Sequence, residues 1–282
     1  MKITFLGTSA ATSYPLIFCR CMVCKSARIN KGKDIRKRAS LLINDDLLID
    51  LDPDITTSAA MYNIDLTKIK YILQTHGHSD HFDAGHLITR LKEYATENVG
   101  HISLFASKET ICTLDMWLKT EEPTADLFDS NWLSRLCMDI KYLRHRENVK
   151  IENYLVTPLE SLHDIRDNSL MFIINYNNRN IMYGTYCLKI SDRVWKIFKS
   201  FRLDLGILDQ TYGEGENAGG HLDSGQVTDI ISKMKVEKII DESSLVYATH
   251  ILHERNSIHD VMEKVAINNG YHIAYDDLEI NI

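Results

Sequence analysis

Between Thr75 and His81 the chain reads Thr-His-Gly-His-Ser-Asp-His, so His76, His78, Asp80 and His81 fall within six positions, separated only by Gly77 and Ser79. In an extended loop, residues two apart point the same way, which lets His76 and His78 grip one cation. Asp80 and His81, where the chain turns into the next segment, face another. Imidazole and carboxylate together suit Zn²⁺, Mn²⁺ or iron better than Mg²⁺ or Ca²⁺. The plain alternative is a polar loop of solvated histidines, and the density of ligand types argues against it.

A second grouping is Cys19, Cys21 and Cys24, spaced C-x-C-x-x-C. Three thiolates in one tight turn form a claw for Zn²⁺, and a tetrahedral site needs a fourth ligand from elsewhere. His253, three residues after His250, is the candidate. The alternatives are buried apolar cysteines or a redox pair, and no thioredoxin-like pattern surrounds the latter. His221 follows the glycine-rich stretch Gly213–Gly220. No strand feeds that stretch with nucleotide-fingerprint spacing, so it reads as a flexible loop carrying His221 to a pocket.

These residues need elements to hold them. Lys2–Gly7 reads as a first strand. Ser40–Ile43 and Leu47–Asp52 read as two more, joined by Asn44-Asp45-Asp46. Ile69–Gln74 is the strand that delivers the histidine loop, and Ala84–Glu97 reads as a helix with Leu87, Leu91 and Tyr94 on one face. Strands follow at Ile102–Ala106, Tyr154–Pro158, Leu170–Tyr176, Asp204–Leu208 and Leu245–Thr249, with helices over Asp54–Tyr62, Lys108–Leu118, Asp192–Phe201, Ser224–Met234 and Ser257–Asn268. The last helix has Ile258, Met262 and Val265 as its apolar face. Asp223 is placed to cap the helix after it. Residues 119–148 show the weakest pattern and read as a variable insertion within one domain spanning 1–282. Trp117, Trp132 and Trp195 read as packing residues.

The chain has 282 residues, 44% hydrophobic and 25% charged, with a net charge of −7. That composition supports a large core and provides no global basic field to draw in nucleic acid. Lys31, Lys33, Arg36, Lys37 and Arg38 form a local basic patch, read as a solvated loop in preference to phosphate steering. No apolar run approaches the roughly 18 residues of a membrane span, and the N-terminus lacks a signal-peptide pattern. A cytoplasmic protein without membrane partners is therefore expected, with its six cysteines as thiols or metal ligands. A homodimer stays open.

The H-x-H-x-D-H loop in a strand–loop–helix setting resembles the metallo-β-lactamase superfamily, and the resemblance implies an α/β fold, the αββα sandwich. It also implies that an aspartate in an "LLID" strand, here Asp50, supports the metal loop from behind. The glycine usual after it is absent, so Asp50 could instead start the Asp52-Pro53-Asp54 turn. By the same resemblance His163 completes the first metal's ligands and His250 the second's. Relatives carry a strand ending in Tyr, two residues, then an Asp that bridges the metals. Here Tyr186 stands at that position. A neutral phenol, with an unperturbed pKa near ~10, does not supply the charge that offsets two cations about 3.5–4 Å apart. Tyr186 is therefore a candidate phenolate ligand, substrate contact or packing residue.

More narrowly, the cysteine loop, the metal loop, Thr249-His250-Ile251-Leu252-His253 and the closing Tyr275–Ile280 segment are similar to the phosphodiesterases of bacterial phosphonate breakdown, which act on ribose cyclic phosphates. In that branch three cysteines and the second histidine hold a structural zinc, and a histidine before an aspartate, here His221, contacts the phosphate. Ser9-Ala10-Ala11 and the cysteine loop also resemble the pyrroloquinoline-quinone biosynthesis B proteins. The expectation is a metal-dependent hydrolase of a small or cyclic phosphodiester, with Asp80 and His221 catalytic. It would carry one structural Zn²⁺ and one or two Zn²⁺ or Mn²⁺ at the active centre. The alternatives are a non-hydrolytic cofactor-handling protein and an RNA-processing nuclease, the latter disfavoured by charge.

Overall fold

The computed structural model describes residues 1–95, 97–161, 168–185, 190–215 and 220–282. His163 and Tyr186 lie outside the described residues.

The chain opens with β1 (Lys2–Gly7), α1 (Met22–Asn30), β2 (Ser40–Ile43), β3 (Leu47–Ile49), α2 (Ile55–Tyr62) and β4 (Tyr71–Leu73). β1, β2 and β3 run antiparallel. Asn44 and Asp45 turn the β2–β3 corner with φ of 49° and 66°, a left-handed conformation their short polar side chains tolerate. Next come α3 (Gly85–Ile88), β5 (Ile102–Ala106), α4 (Lys108–Glu121), α5 (Ser130–Arg135) and β6 (Met138–Tyr142), with β3, β4, β5 and β6 parallel to one another. The first sheet has the order β14-β1-β2-β3-β4-β5-β6, where β14 is Glu279–Asn281.

The second half supplies β7 (Val149–Ile151), β8 (Tyr154–Glu160), β9 (Leu170–Tyr176), β10 (Arg179–Gly184), α6 (Asp192–Phe198), β11 (Leu205–Asp209), α7 (Ser224–Val236), β12 (Leu245–Thr249), α8 (His259–Asn268) and β13 (His272–Ile273). Its sheet order is β13-β12-β11-β10-β9-β8-β7. β10 to β13 are parallel and β7 to β10 antiparallel. After β13 the chain crosses back, and β14 pairs with β1 in the first sheet.

Period-two alternation explains the layering. In β2, Leu41 and Ile43 enter the core between the sheets with Phe5, Phe172, Ile174, Ile181 and Ile207, while Leu42 faces the helices. On that outer side Leu48, Ile72 and Leu104 pack against Ile55, Leu87, Ile111, Leu114 and Leu118. The second sheet buries Met182, Leu208 and Val246 against Val194, Phe198, Val227, Ile231 and Met262. Helix, sheet, sheet and helix thus stack as an α/β sandwich, the αββα order expected.

Four readings change. The helix expected over 84–97 is one turn, Gly85–Ile88, and Tyr94 is exposed while Leu87 and Leu91 are buried. α8 buries His259, Met262 and Ala266, whereas Val265 faces outward. Ile258 precedes that helix as its N-cap, which rotates the assumed face. Residues 119–148 contribute β6, paired along its length with β5, so part of this stretch is the edge of the first sheet.

The basic patch is a solvated loop only in part, with Lys31 and Lys33 exposed. Arg36 and Lys37 are buried. Arg36 Nη1 donates to Thr8 Oγ1 at 2.8 Å, and Arg36 Nη2 lies 3.1 Å from His259 Nδ1. Lys37 Nζ pairs with Asp276 Oδ2 at 3.1 Å. Thr8 Oγ1 donates to Asp276 Oδ1 at 2.7 Å, so the cations tie the two ends of the chain together.

Candidate metal centre

Parallel strands bring their C-terminal ends to one side of each sheet, where α/β proteins bind ligands. From the first sheet, β3 ends just before Asp50 and β4 just before Gln74-Thr75-His76. From the second, β11 ends on Asp209 and β12 just before His250. Asp50 and His250 leave their strands with φ of 64° and 63°. A non-glycine residue in this region is uncommon, and such strain gathers at functional sites.

Asp50 is fully buried and organises the histidine loop. Its carboxylate accepts from Thr75 N at 2.8 Å and Thr75 Oγ1 at 2.9 Å. It also accepts from His81 Nδ1 at 2.7 Å. Thr75 Oγ1 spends its proton on Asp50, so at 2.9 Å it accepts from His76 Nδ1. His76 and His81 therefore carry their protons on Nδ1 and their lone pairs on Nε2. The turn reading for Asp50 is set aside: the Asp52 side chain, at 2.7 Å from Asp54 N, makes that turn.

The second sheet repeats the device. Asp209, also fully buried, accepts from Thr211 N at 2.7 Å and Thr211 Oγ1 at 2.8 Å. It accepts from His221 Nδ1 at 2.7 Å, and Thr211 Oγ1 lies 2.7 Å from His250 Nδ1. Each sheet thus offers one aspartate that holds one histidine directly and a second through a threonine. Thr211 and Thr75 carry no role in the sequence reading, and Asp209 enters it only as a fallback for the bridging carboxylate that Tyr186 replaces. The signal for Asp209 was present: an acidic residue ending an apolar strand, the same feature that flagged Asp50.

The two arrangements meet at Asp80. Its Oδ2 lies 3.0 Å from His81 Nε2 and 3.8 Å from His250 Nε2. The ligand atoms of Asp80, His81 and His250 lie within 4.8 Å of one another, as do those of Asp209, His221 and His250. The His81 and His250 rings stack at 5.7 Å, and those of His221 and His250 at 5.0 Å. His76 lies 4.5 Å, ring to ring, from both His78 and His81. Burial alone would raise the Asp80 and Asp209 carboxyls. His81 and His250 beside the first, and His221 and His250 beside the second, hold both below the usual carboxylate range instead. The buried Asp80 carboxylate facing the Nε2 atoms of His81 and His250 is, once those rings are neutral, a donor set that fits divalent cations of the zinc and manganese type.

A separate group joins the ends of the chain. The ligand atoms of Cys19, Cys21, Cys24 and His253 lie within 4.8 Å of one another. Cys21 N-caps α1, its sulfur accepting from Cys24 N at 3.4 Å. Arg28 clamps the loop by donating to the carbonyls of Cys19 at 2.8 Å and Leu16 at 2.7 Å. Against the cost of burial, the Cys24 N–H and the neighbouring Cys19 and His253 draw the Cys21 thiol down to about 6. Burial pushes Cys24 up to about 12. Three sulfurs and one imidazole nitrogen are the composition of a closed zinc site.

Fold and donor set together define a metal-dependent hydrolase architecture. A β-lactamase superfamily domain profile matches residues 46–251, and the chain belongs to that superfamily. No curated protein matches it by sequence. Solved structures with the same fold include a diphosphatase from the PhnP family, 21% identical with a TM-score of 0.71, covering 100% of this chain and 97% of that one. Zn²⁺-bound PqqB from Methylobacterium extorquens is 19% identical with a TM-score of 0.75, covering all of both chains. The short form of human tRNase Z is 18% identical with a TM-score of 0.65, covering 100% and 99%. No helix among the described residues is long and apolar enough to cross a membrane.

Proposed function

We propose that this protein hydrolyses a small or cyclic phosphodiester with the help of metal ions. The observation that carries the reading is the meeting of Asp80, His81 and His250 beside the Asp209–His221 pair. His76, His78 and His163 would hold one cation, and Asp80, His81 and His250 the other. Such cations lower the pKa of water and neutralise phosphoryl oxygens. The side chains of the protein do the rest. Asp50 and Asp209 fix the histidine tautomers and ring orientations. Asp80 accepts a hydrogen bond from the attacking water and so orients it. Asp209 holds His221 by Nδ1, which assigns proton delivery to the leaving oxygen, or charge stabilisation at phosphorus, to Nε2. Cys19, Cys21, Cys24 and His253 would hold a structural Zn²⁺. The expected partner is a small soluble phosphodiester in the cytoplasm, bound by one domain spanning 1–282.

The test is turnover of bis-p-nitrophenyl phosphate and of 2′,3′- and 1,2-cyclic phosphates by pure protein with added Mn²⁺ or Zn²⁺. Hydrolysis lost in Asp80→Asn supports the reading. Metal uptake without turnover of any of these esters overturns it. That result would favour the cofactor-handling alternative, which Tyr186 at the usual bridging position motivates.

A further inference from the structure

The turn between His76 and His81 holds its shape through its carbonyls. Those of His76 and His81 each accept from Gln74 Nε2 at 2.9 Å, and that of His78 accepts from His81 N at 3.0 Å. The Gly77 carbonyl, between the first two histidines, accepts from Trp117 Nε1 at 3.0 Å. This contact comes from 40 residues away and from a helix that supplies none of the grouped ligand residues.

Trp117 lies off the buried stripe of its helix. α4 buries Ile111, Leu114 and Leu118 against the first sheet, a complete i, i+3, i+7 stripe without it. Trp132 and Trp195 are 8% and 7% exposed, whereas Trp117 is 42% exposed. Its polar edge is spent on one atom of the loop. Gly77 has no Cβ and adopts many backbone conformations at little cost, so the peptide joining His76 to His78 is the softest link in the turn. Its orientation sets the direction in which both imidazoles leave the backbone.

We infer that Trp117 is a positioning residue for the metal centre, locking the His76-Gly77-His78 peptide through its indole N–H. The inference rests on the reading of His76 and His78 as metal ligands. Partners that orient ligands this way typically change metal affinity or activity by about 10–100-fold.

Trp117→Phe keeps the ring and removes the donor. Competition against a chromophoric chelator should show roughly tenfold weaker binding at the histidine centre, the low end of that range. Binding at the cysteine claw, reported separately by thiolate-to-Co²⁺ absorption, should not change. In metal-free protein, hydrogen exchange of a peptide covering residues 75–82 should quicken several-fold, while one covering 205–209 stays as in the wild type. Equal exchange and equal affinity in variant and wild type would overturn the inference. A wild type that takes no metal at the histidines would instead sink the metal-centre reading, and the exchange comparison would still decide whether Trp117 holds the loop.

Discussion

The two sheets build the same device from different material. In the first, Asp50 and the loop Thr75-His76 to His81 lie within 32 residues of one another. In the second, Asp209, Thr211, His221 and His250 are gathered across 42 residues from three separate segments. Both place a buried carboxylate at a strand end, a threonine two hydrogen bonds deep, and two histidines with Nδ1 protonated. The difference lies in what each aspartate holds. Asp50 orients two proposed ligands, His76 and His81. Asp209 orients one proposed ligand, His250, and one residue proposed to act on the substrate, His221. One sheet is devoted to holding metal, while the other divides its aspartate between metal and chemistry.

That division predicts different failures. Asp50→Asn should cost the most, toward ~100-fold in metal affinity, because it loosens ligands in both proposed sites. Equilibrium dialysis would show it. Asp209→Asn should hold metal far better, yet lose turnover through His221, with kcat falling more than KM rises. If the two variants lose metal equally, the comparison fails. Thr75→Val and Thr211→Val each remove one relay and should weaken binding by about tenfold, the low end of the same range. The first should affect the His76 side and the second the His250 side. Tyr186→Asp should give a smaller gain, tightening the weaker cation in a calorimetric titration by restoring the carboxylate that relatives carry there.

The smallest effect lies outside the centre. Burial, and then the charge of Arg36, holds His259 down to about 4, and its Nδ1 accepts from Arg36 Nη2. The folded state therefore resists a proton that the unfolded chain takes up near ~6.5. Stability should be full above that pH and fall as pH drops from about 6.5 toward 4. Thermal melts of wild type and His259→Gln across that window would show a flatter profile in the variant if the assignment is right.

How much of this was legible follows from how local each feature is. The histidine loop and the cysteine claw lie within short windows, and their residue types alone mark them. The strands stood out as short apolar runs because most face a core on each side. The missed parts depend on tertiary placement. Asp209 and Thr211 become significant only when β11 and β12 bring His250 beside them. Arg36 and Lys37 looked solvent-bound because Asp276 and His259, which neutralise and bond them, stand more than 220 residues away. Trp117 read as packing because a helix's polar contact with a distant carbonyl leaves no periodic trace. The segment from Ala84 had helical periodicity, but its helix ends at Ile88, and Ala84, Leu87, Ile88 and Leu91 cover the sheet.

The central claim is that two aspartate-anchored relays hold a metal centre distinct from the cysteine claw. Elemental analysis of protein purified without added metal, alongside Asp50→Asn and Cys24→Ser, tests it most directly. The account predicts more than one metal per chain in the wild type, loss of the histidine-bound metal but not the claw zinc in Asp50→Asn, and the reverse in Cys24→Ser. A wild type whose only metal survives Asp50→Asn and disappears in Cys24→Ser would contradict it.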